Sequence, residues 1–152
     1  MVKNLFVAVL LALAAALPAL PAAAAFWLGN KGDQPAVSGY DVVSYFAGTP
    51  AAGSAEFTAA HDGAIFRFAN GANRDIFIKS PDRYAPQFGG HCAWAASQGR
   101  LAGPDPTIWH IVGDKLYLNC SKDADTKWLA DVPDNIAKGE AFWEAYEYGA
   151  EP

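Results

Sequence analysis

Glu56-Phe57-Thr58-Ala59-Ala60-His61-Asp62-Gly63-Ala64-Ile65-Phe66-Arg67-Phe68-Ala69 is the stretch that decides the fold. Asp-Gly at its centre is a dipeptide suited to a two-residue type I′ turn, in which both central residues take positive φ. The flanks read as the arms of an antiparallel hairpin, with side chains alternating between two faces. Phe57, Ala59 and His61 then share a face with Ala64, Phe66 and Phe68, while Thr58, Ala60, Ile65 and Arg67 take the other. His61 is thereby placed at a strand end, on the aromatic face.

Outward from this hairpin the chain alternates short strands and short helices. Thr107 to Cys120 reads as a second hairpin around Gly113-Asp114. Trp109, Ile111, Leu116, Leu118 and Cys120 form its inward face, and Ile108, His110, Val112, Tyr117 and Asn119 its more polar one. Asn70 caps a short helix carrying Ile76 and Phe77, which ends before Ser80-Pro81. Residues 81–88 read as a turn and an extended bridge. Gly89 or Gly90 opens a helix through Ala96, which Gly99 ends. Ser121 begins a further helix with Trp128 and Leu129, and a last one runs from about Pro133 to Tyr146. Residues 36–46 form a short extended or single-turn element, in which Asp41 fixes a turn by bonding nearby N–H groups. No internal repeat is evident. The expectation is one small α+β domain, two β-hairpins packed with several short helices.

The N-terminus carries Lys3, an apolar run from Leu5 to Leu17 and small residues at Ala22 to Ala25. That is the pattern of a cleaved secretory signal peptide, too short for a comfortable membrane span. The expected organisation is a signal peptide at 1–25, a loose leader at 26–35, the domain at 36–146 and a tail at 147–152. The mature protein is expected to be periplasmic or secreted, with no stable membrane span. Eleven Lys and Arg stand against 16 Asp and Glu, a net charge of −5. No basic patch stands out, which argues against nucleic acid as a partner.

The run Tyr84-Ala-Pro-Gln-Phe-Gly-Gly-His-Cys-Ala-Trp-Ala95 concentrates the reactive residues. Cys92 has three states open to it. It is a small buried hydrophobe, or it is bridged to Cys120 in an oxidising compartment, or it is a ligating thiol at a helix start. The candidate metal set is His61, Cys92 and Asp41, a donor mixture that suits copper or zinc. His91 is a poor co-ligand for Cys92, because adjacent helical residues point about 100° apart. Tyr40, Gly89, Gly90 and His91 are the candidate mouth of a ligand pocket. A hydrolase-like pairing of Cys92 with His61 lacks a third orienting residue, so no catalytic residue is assigned.

Gly39-Tyr40-Asp41-Val42-Val43-Ser44-Tyr45-Phe46, the core of the first hairpin and Asn73-Arg74-Asp75-Ile76-Phe77 resemble the YHS-domain family. Pro81-Asp82-Arg83-Tyr84-Ala85-Pro86-Gln87-Phe88-Gly89-Gly90, Cys92-Ala93 and Leu116-Tyr117-Leu118-Asn119 extend the resemblance to its exported single-domain branch. It covers about Ala36 to Trp143. The resemblance implies an envelope protein that binds or senses a transition metal without turnover, or a metal-free module for a small molecule or a protein. The metal-type members carry cysteines early in the domain and after the second strand. Here Tyr40-Asp41 and Ala69-Asn70-Gly71-Ala72-Asn73 stand near those places.

Overall fold

Two hairpins carry the architecture. β1 (Ser54–His61) pairs antiparallel with β2 (Ala64–Phe68), and β3 (Asp105–Val112) with β4 (Lys115–Asn119); each pair is a separate two-stranded sheet. The helices are α1 (Val42–Phe46), α2 (Gly71–Lys79), α3 (Pro81–Tyr84), α4 (Ala93–Ser97), α5 (Lys122–Leu129) and α6 (Val132–Glu147). The chain is a single small α+β domain. This computed structural model describes Phe26, Trp27 and residues 34–149; the signal peptide expected at 1–25 lies outside them.

The first hairpin has the expected faces. Asp62 and Gly63 take φ of 44° and 77°, His61 pairs with Ala64 and Ala59 with Phe66. Ala64, Phe66 and Phe68 are buried, and Ile65 is half exposed. The second hairpin departs from the one-sided expectation. Leu116 and Leu118 enter one core cluster with Phe66 and Phe68, while Tyr117 enters another with Phe88, Ala93 and Trp128. β4 is therefore covered on both faces, and Asn119 on the supposedly polar side is fully buried. Cys120, expected to point inward, is only part buried, beside Cys92 and Ala124.

The structure also overturns the absence of a repeat: nearly every feature of the first half recurs 51 positions later. Pro35 and Pro86 precede 3₁₀ turns at Ala36–Gly39 and Gln87–Gly90, each followed by a five-residue helix, α1 and α4. The hairpins correspond strand for strand, and both bulge alike, between Ser54 and Thr58 and between Asp105 and Trp109. Asn70 caps α2 and Ser121 caps α5 at matching places. The irregular contacts match as well: Asp41 N donates to the Ala51 carbonyl, and Cys92 N to that of Ala102, both at 2.9 Å. Thr49 N and Arg100 N close equivalent turns onto Ser44 and Ala95.

The repeat explains other departures from expectation. Residues 88–90 cannot open a helix, because Phe88, Gly89 and Gly90 all have positive φ, as do Val37, Ser38 and Gly39. α4 starts at Ala93 instead. The expected turn at 81–88 contains α3, whose start at Pro81 matches the start of α6 at Val132. α3 stops after one turn because Ala85 and Pro86 are extended, as a residue preceding proline favours. α6 meets no such block and runs 16 residues. In the expected leader, Phe26 packs edge-on to Phe66, and Trp27 N donates to the Gly89 carbonyl at 2.7 Å.

The first half is tied together by Asp41, which is fully buried. Its Oδ1 accepts from the amides of Val43 (2.9 Å) and Ser44 (3.3 Å), capping α1. Oδ2 accepts from Ala69 N at 2.9 Å and Asn73 Nδ2 at 2.7 Å, which fastens the end of β2 and α2. Asp41→Asn sets an amide donor against donors at one of these oxygens. It should lower unfolding free energy in urea by about 2–3 kcal/mol. A loss within the error of the measurement would show that the carboxylate does not anchor this half.

Candidate functional site

The matching position in the second half is Cys92, also fully buried. Its Sγ accepts from Cys120 N at 3.1 Å, just as Asp41 accepts from Ala69 N. The other half of Asp41's role passes to Asn119, whose Oδ1 accepts from Trp94 N at 3.0 Å at the start of α4. Asn119 Nδ2 donates to Asp125 Oδ1 at 2.9 Å, and His110 Nε2 lies 2.7 Å from the same oxygen. His110 stacks on Trp128. Cys92 thus belongs to a polar chain that braces the second hairpin against α4 and α5.

That setting makes Cys92 a poor nucleophile. Burial, and secondarily the neighbouring Cys120, push its thiol from 9.0 up to about 12, so it is protonated at neutral pH. Both cysteines are free. His91 does not share a helix with Cys92; both have extended backbone, which turns successive side chains to opposite sides. The His91 ring lies against Trp27 and Trp143 and within 2.9 Å of the Phe88 carbonyl. Burial lowers its pKa, with the carbonyl bond pulling weakly the other way.

His61 lies elsewhere. Its ring packs on Phe26, Phe66 and Phe77, and its Nε2 faces Asp82 Oδ1 at 3.3 Å and Asp62 Oδ2 at 3.5 Å. Asp41, His61 and Cys92 each hold separate partners. Among the described residues no three His, Cys, Asp or Glu side chains form a group able to hold a metal ion. The structure does not bring the sequence-derived ligand set to one point.

What His61 does border is an open cleft of about 690 Å³. One wall is the tip of the first hairpin, His61 and Asp62; another is α6, with Glu140, Trp143, Glu144 and Glu147. The floor comes from the segment joining the two halves, Asp82 and Ala85 to Gly89, and Phe26 closes one side. Of the expected pocket residues, Gly89 reaches this cleft. Gly90 and His91 are buried behind it, His91 touching the lining residue Trp143, and Tyr40 belongs to the core of the first half.

Sequence reasoning missed α6 as a wall, although a signal was there. Glu140, Glu144 and Glu147 stand at i, i+4 and i+7, the spacing of one helical face. α6 reaches the floor closely: a Cβ on Gly139 would lie 2.7 Å from the Phe88 ring.

Alkaline pH tests the state of Cys92. An unfolded chain loses this proton near 9, so the stabilisation from the protonated buried thiol is whole below that pH. It drains away as pH rises toward about 12. Tyr117, raised from 10.0 to about 12 by burial and then Glu140, adds to the decline over the upper part of that range. Urea stability should therefore fall from pH 8 to about 11, and less steeply in Cys92→Ala. Equal slopes in the two proteins would contradict a protonated thiol. At neutral pH iodoacetamide should label native Cys120 well before Cys92.

Comparison with protein-family models, with curated proteins and with solved structures returns no match.

Proposed function

We propose that the chain is an exported, non-catalytic binding protein of YHS type, whose small-molecule ligand sits in the cleft between the first hairpin and α6. The observation that carries this reading is the cleft itself. Its volume of about 690 Å³ lies within the range of small-molecule sites. It is built from the N-terminal segment, the hairpin tip, the joining segment and α6, so one ligand would touch four separate parts of the chain.

Two features favour binding over turnover. The Cys92 thiol is buried and held protonated, and its partners are Asn119 and Cys120 rather than a histidine. His61, the base of the hydrolase-like alternative, faces Asp62 and Asp82. The same separation favours a small molecule over the copper or zinc ion that the resemblance implies, since a metal needs three or four donors around one point.

Fragment screening by amide and indole NMR shifts tests this reading. Hits should perturb His61, Gly89 and the Trp143 indole together, leaving Asn119 and Cys120 unmoved. Hits confined to the surroundings of Cys92, or none anywhere in a broad library, would contradict a cleft ligand.

A further inference from the structure

We infer that the ligand of this cleft is an organic cation, an ammonium group carried on an apolar or aromatic body; the inference rests on the cleft reading above and names its ligand class. The cleft combines aromatic surface with one sign of charge. Trp143 and Phe26 supply part-exposed aromatic surface over the buried Phe88 of the floor, and Asp62, Asp82 and three glutamates of α6 supply the carboxylates. Among the described residues no lysine or arginine lines it. Opposed charge draws in a cation, and ring faces hold an alkylated or aryl ammonium by cation–π attraction.

The carboxylates differ in how far they are committed. Glu140 is paired with Lys115 at 3.1 Å, and Glu147 accepts from Trp143 Nε1 at 2.9 Å, which orients the indole. Asp62 and Asp82 face His61. The side chain of Glu144 has no hydrogen-bond or ion-pair partner among the described residues. It lines the same cleft as Trp143, so a cation over the indole face shares that cleft with its charge. The volume separates an organic cation from a bare metal ion. A metal site closes around an ion with bonds of 2.0–2.6 Å, whereas about 690 Å³ admits an ion with a body of its own.

The test titrates the full mature protein with three probes of similar shape, phenethylammonium, 2-phenylethanol and 3-phenylpropionate, and separately with zinc chloride. NMR shifts locate each site and calorimetry gives its affinity. Phenethylammonium should bind in the cleft, the alcohol about tenfold more weakly, and the carboxylate not at all. Added salt should weaken the cation. Glu144→Gln, on an exposed helix face, should keep the fold and weaken the cation about twofold to fivefold. Equal binding of the alcohol or the carboxylate in the cleft would overturn the ligand class and leave the binding function standing. Zinc displacing phenethylammonium, with shifts centred on His61, Asp62 and Asp82, would overturn it in favour of a metal. Binding of the probes only outside the cleft would overturn both readings.

Discussion

The buried carboxylate of Asp41 is the constraint on which the first half depends. One side chain caps α1, holds the residue that follows β2 and anchors the first turn of α2. A buried carboxylate is tolerable only when its oxygens are satisfied, and here each accepts two bonds. In the second half the same task is divided. Cys92 keeps the contact to the residue after the hairpin, Asn119 takes over the helix start, and Asp125 with His110 holds Asn119 in place. A weak sulfur acceptor thus stands where the first half has two carboxyl oxygens, and an amide supplies what it lacks. On this account Cys92 is a structural residue whose position mirrors Asp41.

The cleft arises where the two halves stop being alike. α3 and α6 begin at matching positions, but Pro86 has to start the second half and cuts α3 to one turn. α6 has Ala137 where Pro86 stands one repeat earlier, so it continues past the repeat, packs along α4, meets Phe88 at Gly139 and brings its glutamates to the cleft. Every α6 residue that lines the cleft lies in this extension. The first half has no counterpart to it, so the cleft lies where the repeat is broken.

Both hairpins were legible because Asp62-Gly63 and Gly113-Asp114 mark their turns and the flanking residues alternate. The caps at Asn70 and Ser121 were legible for the same local reason. The repeat was not. Between the halves little beyond Pro35 with Pro86, Gly39 with Gly90, Gly48 with Gly99 and Ala51 with Ala102 is retained. The three glycine and proline pairs mark backbone turns, while the core swaps Phe77 for Trp128 and Phe66 for Tyr117, which pattern reading does not equate. Burial of β4 on both faces depends on α5 and α6 arriving later in the chain, which no local pattern records. The cleft joins residues from Phe26 to Tyr148, so its sequence signal was limited to the glutamate spacing on α6.

A crystal structure of the protein grown with phenethylammonium would locate the ligand outright. The ammonium should lie beside Glu144 and the aromatic body against Trp143, with the Cys120 N–H still donated to Cys92 Sγ. An empty cleft with the probe ordered elsewhere, or a metal ion bound by His61 and Asp82 in its place, would contradict this placement.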